Sequence, residues 1–253
     1  MKKINLVTLA VLASTMVGGV VASAANKEPN KLDTTAKVEF EKVETGGENT
    51  EKPTPPGGGG EIEPGPGGET PETTSDLMIT YAPNFDFGTV KLDAKAKEVA
   101  AKNIIENESG KVTHFVQVKD VRGTHTGWSL SATATALENG DSILDGGSSI
   151  QISSFNVKGE EGNMAAAPTS MFNEIKFDGN QTDVMLAGAE AGEGVWSGIM
   201  GKNSTQTEEL NNDVKLNLTG ADAVKASVGE YTSTITWNLV GAPEDVLSAT
   251  PKA

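Results

Sequence analysis

Two stretches of this chain alternate apolar and polar residues with little interruption. In residues 127–136, Trp128, Leu130, Ala132 and Ala134 share one parity, while Ser129, Ser131, Thr133 and Thr135 occupy the other. In residues 231–240, Tyr231, Ile235, Trp237 and Leu239 alternate with Thr232, Thr234, Thr236 and Asn238. Successive side chains of an extended chain point to opposite faces. Both stretches therefore predict half-buried strands with an apolar and a hydroxyl-rich side. Each holds a Trp-x-Leu triplet, Trp128-Ser129-Leu130 and Trp237-Asn238-Leu239, in a chain with only three Trp.

Weaker alternation recurs elsewhere in the chain. Leu77-Ile79-Tyr81, Val112-His114-Val116-Val118, Ile150-Ile152 and Val214-Leu216-Leu218 read as further strands, with 224–228 a weaker one. Turn signals separate them at short spacing: Pro83-Asn84, Arg122-Gly123, Asn139-Gly140, Asp145-Gly146, Lys158-Gly159, Asp178-Gly179 and Thr219-Gly220. Helix signals are few, and residues 94–100 suggest at most a short turn of helix. Many short strands between Gly/Asn turns predict an all-β fold, an antiparallel β-sandwich or barrel-like domain, over residues 76–253.

The front of the chain is organised differently. Met1-Lys2-Lys3 is basic, residues 6–21 are uncharged and apolar, and Ala22-Ser23-Ala24 is a small-x-small site. Residues 1–24 thus read as a secretory signal peptide. The apolar run is shorter than the ~20 residues a spanning helix needs, and no later segment reads as a membrane span. Residues 25–45 are polar, with one alternating run at 36–43 that predicts a strand. A lone strand is not stable in water, so it is expected to join the sheet of the main domain. Residues 46–75 carry Pro53, Pro55, Pro56, Pro64, Pro66, Pro71 and the run Gly57-Gly58-Gly59-Gly60. Such a composition predicts a flexible, extended tether.

Charge and cysteine content narrow the function. The chain has 35 Asp and Glu against 20 Lys and Arg, a formal charge of −15. Nucleic acid and anionic membranes are poor partners for it. Cys is absent, which excludes disulfides, thiolate chemistry and a lipid anchor on Cys. An exported chain without Cys suggests a Gram-positive-type surface. No Gly-x-Ser-x-Gly elbow is present, and no pair among the abundant carboxylates is singled out for glycosidase chemistry, so no catalytic residue is assigned. His114 and His125 lack metal-ligand spacing, and Asn139, Asp141 and Asp145 lack the EF-hand pattern. No cofactor or metal is expected.

Aromatic residues supply the remaining candidates. Trp128, Leu130, Trp237 and Leu239 fit either of two roles: a face on which sugar rings stack, or the filling of a sandwich core. Trp196, within Gly192-Glu193-Gly194-Val195-Trp196-Ser197-Gly198, reads as a loop residue, either an exposed platform or a cap over the open end of the sandwich. In Asn84-Phe85-Asp86-Phe87, Asn84 and Asp86 suit turn capping or sugar contact, and the two Phe share one face.

Three ordered segments carry a resemblance. They are Tyr81-Ala82-Pro83-Asn84-Phe85-Asp86-Phe87-Gly88, then Gly127-Trp128-Ser129-Leu130-Ser131-Ala132, and finally Tyr231-Thr232 through Trp237-Asn238-Leu239 to Ala242-Pro243. With a signal peptide and a Pro-rich segment in front, the chain resembles the WxL-domain surface proteins of low-GC Gram-positive bacteria over about residues 76–241. The resemblance implies a secreted protein displayed at the cell surface by non-covalent binding of this domain to peptidoglycan or another cell-wall polymer. It also implies work beside other cell-surface proteins. Many members carry a large adhesive or enzymatic region in front of the domain. None is evident here, which favours a scaffold or complex-forming role.

Overall fold

The computed structural model describes residues 67–241 except 104, 108–109, 203–204 and 207, together with 38, 47–48, 52–56 and 60–62. The chain divides into two units, 1–40 and 41–253. Of the first, Val38 alone is described, and it is exposed. The signal peptide at 1–24 lies outside the described residues, as does the expected strand at 36–43 apart from Val38.

The second unit is all-β, and its strand pairings are antiparallel. A five-stranded sheet runs in the order β1 (Gly68–Glu69), β2 (Leu77–Pro83), β6 (Phe115–Asp120), β14 (Gly194–Met200), β11 (Phe155–Gly159). A four-stranded sheet runs β12 (Glu174–Lys176), β10 (Ser149–Ile152), β16 (Leu210–Leu218), β3 (Lys97–Lys102). A three-stranded sheet runs β13 (Thr182–Ala187), β7 (Trp128–Ala134), β17 (Ile235–Gly241). Among the described residues two small sheets complete the set: β15 (Thr205–Gln206), β5 (Gly110–Val112) and β4 (Ile105–Asn107), and the hairpin of β8 (Leu137–Asn139) with β9 (Ser142–Leu144). A short helix, α1 (Gly220–Lys225), follows β16.

The three larger sheets share one core. Val116, Val118 and Met200 come from the first, Ile150, Val214 and Leu216 from the second, and Trp128, Leu130 and Val184 from the third. Each sheet turns an apolar face inward, the arrangement that removes most apolar area from water.

Two local expectations are corrected. Residues 94–100 do not form a helical turn: from Lys97 onward they belong to β3, with Val99 opposite Leu216 of β16. The run is too short for a stable isolated helix, so the sheet edge decides its conformation. Residues 224–228 do not form a strand: Val224 and Lys225 end α1. Thr219 caps this helix, its Oγ1 accepting from the Asp222 N–H at 3.2 Å. Asp222 is fully buried and accepts from the Gly146 N–H, the Ser148 N–H and the Ser148 hydroxyl. A capping pair thus fastens the helix to the loop after β9.

Within 46–75, Pro53, Pro55, Ile62 and Gly68 are buried, while Gly47, Glu48, Lys52, Thr54 and Glu61 are exposed. Ile62 is 2 % exposed and joins Tyr81, Val112 and Phe115 in a second, smaller cluster. Gln117 donates through Nε2 to the Thr54 carbonyl at 3.0 Å, and Lys158 donates to the Pro56 carbonyl at 2.8 Å. The Tyr81 hydroxyl donates to the Gly67 carbonyl at 2.9 Å, and β1 pairs with β2. Ile62 is the only large aliphatic residue in 46–75, and its burial supplies what composition alone does not suggest.

Candidate functional site

The two Trp-x-Leu triplets lie side by side in one sheet. In the register of β7 and β17, Leu239 is opposite Leu130, Trp237 opposite Ala132, and Gly241 opposite Trp128. The antiparallel strands thus meet at a Leu–Leu pair, and each Trp faces a small residue that leaves room for its ring.

Burial separates the two copies. Trp128, Leu130, Ala132 and Ala134 are each at most 1 % exposed. Trp237 and Leu239 are half-buried and pack against the same core. The Trp128 indole donates through Nε1 to the Gly192 carbonyl at 3.0 Å, so its polar atom is satisfied inside. Trp237 meets Phe172 edge-to-face, with ring centroids 6.4 Å apart. Of the two roles open to these residues, the core role accounts for their contacts. Their outward neighbours are mostly polar: Thr236 and Asn238 are exposed, Ser129 and Thr133 half-buried and Ser131 buried, with Val240 the exposed apolar member.

The residues around Trp128 explain its placement. Gly127 has φ +79°, and a Cβ there would stand 2.2 Å from the Ala187 carbonyl oxygen. Only glycine fits that approach and that conformation. Arg122, the chain's single Arg, clamps the same corner. It donates through Nε and Nη2 to Asp120 at 2.9 and 2.7 Å, and through Nη2 to the Gly127 carbonyl at 2.7 Å. Asp120 is 1 % exposed, so this forked pair compensates a buried carboxylate. Hydrogen bonding to Asp120 raises the Arg122 pKa above its ordinary value. Gly241 packs beside the guanidinium, so the start of the first motif strand and the end of the second share this support. The sequence signal was available, a lone Arg two residues after an Asp in an acidic chain, yet nothing local showed that the pair was buried.

Trp196 is not a loop residue. It lies in the middle of β14, opposite Val118 on one side and Gly159 on the other, 5 % exposed. Its Nε1 donates to the Glu193 carbonyl at 2.9 Å. The glycines around it mark close packing of the ring: a Cβ on Gly159 would reach 3.2 Å from it.

Asn84 and Asp86 stand in a surface segment after β2. The Asn84 N–H donates to the Gly67 carbonyl. Asp86 accepts from the Gly88 N–H at 2.6 Å and from Lys102 Nζ at 2.9 Å. The Lys102 hydrogen bond, then that of Gly88, holds its carboxyl below the usual range. Phe85 and Phe87 flank it with near-parallel rings, 6.4 Å between centroids, and both pack against the core.

Phe85 also stacks on His114 at 5.2 Å. His114, in the gap between β5 and β6, is 2 % exposed. Asn211 fixes its tautomer. The Asn211 amide accepts from the Asp213 N–H through Oδ1, and its Nδ2 donates to the Met200 carbonyl and toward His114 Nδ1 at 3.2 Å. Nδ1 therefore accepts, and the ring proton sits on Nε2. Burial lowers the His114 pKa to about 4. His125 is exposed with φ +54°, beside Glu193. Among the described residues no cluster of His, Asp or Glu is arranged to hold a metal ion.

The structure is thus an antiparallel all-β domain whose twin Trp-x-Leu strands form one face of its core. A family model, WxL domain surface cell wall-binding, matches residues 27–243. The chain belongs to the WxL family, a cell-wall-binding family rather than an enzyme family. It is a surface protein that associates with the cell wall. Comparison with curated proteins and with solved structures finds no match for this chain. Among the described residues no helix is long and apolar enough to cross a membrane.

Proposed function

We propose that the protein is exported and held at the cell wall by non-covalent binding of this domain to peptidoglycan. The sheet of β7 and β17 carries the reading. It builds both motifs into one sheet, with Trp and Leu inward and mostly Ser, Thr and Asn outward. The indole rings are largely occupied by the core, so recognition rests on hydrogen bonds from outward side chains. A formal charge of −15 leaves little room for bulk attraction to anionic wall polymers. Sedimentation with purified, protein-free peptidoglycan tests this: the protein is expected in the pellet and resistant to elution by moderate salt. A protein that stays in solution overturns the reading.

A second reading rests on a separate observation. β17 is an edge strand, and among the described residues no strand pairs with its outer side. Such an edge suits strand addition by another cell-surface protein, making the chain a structural subunit of a surface complex. Wall retention only when a second surface protein is present supports this reading over the first.

A further inference from the structure

We infer that the outward face of β7 and β17 is the surface that meets the wall, and that its ligand is the neutral, hydroxyl- and acetamido-bearing glycan strand rather than an anionic polymer. This rests on the reading that the domain binds peptidoglycan. Trp128 and Leu130 are buried, so the inward half of the motif is occupied by the core. The outward half is arranged in rows across the two strands, Val240 opposite Ser129, Asn238 opposite Ser131 and Thr236 opposite Thr133, and apart from the buried Ser131 its members are half-buried or exposed. Within the described residues, the side chains of Ser129, Thr133, Thr236 and Asn238 make no hydrogen bond, while Ser131 donates to the Asn238 carbonyl at 3.4 Å. Hydroxyl and carboxamide groups both donate and accept, which matches sugar hydroxyls and acetamido groups.

Charge selects the ligand class. The chain carries 20 Lys and Arg and 35 Asp and Glu, yet neither β7 nor β17 contains any of them. The neighbouring strand contributes one carboxylate, Asp183, opposite Ser131. The outward face of the four-stranded sheet differs, since Lys215 pairs with Glu98 at 3.0 Å and Glu174 lies near Lys176. A largely polar strip whose two strands hold no charge, with a single flanking carboxylate and no cation, admits an uncharged glycan and offers nothing to a polyanion.

The test uses the full chain and peptidoglycan stripped of protein and of anionic polymers. Thr236→Glu with Asn238→Glu places two carboxylates on the strip, and apparent affinity is expected to fall at least about tenfold with an unchanged melt. Gln151→Glu with Asn212→Glu adds the same charge to the other sheet and is expected to bind like wild type. Wild-type binding by the Thr236/Asn238 variant overturns the inference while leaving the wall-binding reading intact. A wild-type protein that does not bind overturns that reading itself. If the double variant melts early, Asn238→Asp replaces it, with binding expected about threefold weaker and equal binding overturning the inference. Binding only to peptidoglycan that still carries its anionic polymers also overturns it.

Discussion

Strands β7 and β17 carry the same triplet in the same sheet and do different work. β7 is central, with β13 on one side and β17 on the other, and its Trp128 is fully buried and hydrogen-bonded. β17 lies at the edge, and its Trp237 is half-buried against Phe172. A three-residue pattern therefore does not set burial. Position in the sheet does, because a central strand is covered from both flanks and an edge strand from one. The motif is best understood as two halves of a single inward-facing layer.

The largest test of that difference is truncation of each indole. Trp128→Ala removes a fully buried ring and is expected to cost ~3–5 kcal/mol. Trp237→Ala is expected to cost roughly half that, since only part of the ring is covered. Urea unfolding of the two variants measures both, and equal losses would break the comparison.

Acid supplies a control on it. His114 is neutral in the fold with its pKa lowered to about 4, against about 6.5 in the unfolded chain. Between these values the unfolded state binds more protons. Stability is therefore expected to fall as pH drops through that window, by up to ~3 kcal/mol from this group. Nδ1 protonation also sets two donors, His114 and the Asn211 amide, against each other. His114 lies outside the motif sheet, so the gap between the two Trp variants should stay constant as pH falls. Melting curves at pH 7, 6 and 5 check this, and a gap that closes would tie the two regions together.

A smaller effect separates the glycines at the ends of the paired strands. Gly127→Ala meets the Ala187 carbonyl and a left-handed backbone, and is expected to cost at least ~2 kcal/mol. Gly241→Ala keeps an ordinary backbone and meets side-chain atoms, Arg122 and Leu77, rather than a carbonyl, and is expected to cost less than Gly127→Ala. Thermal melts rank them, and the reverse order would place the tighter end of the sheet at β17.

The mildest probe is fluorescence. Iodide is expected to quench Trp237 and to leave Trp128 and Trp196 protected. Trp237→Phe should abolish most of the quenchable signal. Retained quenching would mean that one of the two other rings reaches solvent.

The motif strands were legible because alternation is a property of the backbone itself: once residues 128–134 are extended, Trp128 and Leu130 must share a face. The strands β2, β10 and β16 were read the same way. Alternation from Val112 to Val118 suggests one run, but the chain breaks at Thr113 and His114 between β5 and β6. Trp196 lies in a strand although its flanking glycines signal a loop, because those glycines make room for neighbours in a tightly packed strand. In residues 46–75 Pro and Gly dominate the pattern, and nothing in it marks Ile62 for burial at 2 % exposure.

The sequence by itself determined that this is an all-β, disulfide-free, acidic domain with two equivalent Trp-x-Leu strands, because periodicity, composition and formal charge are local or additive. Only the tertiary structure decided that the two triplets pair Leu to Leu, that one Trp is sealed and the other half-open, and that Arg122 and Asp120 hold the corner between them. Those outcomes depend on which strands become neighbours, and pairing is fixed by the burial of the whole core rather than by any one segment.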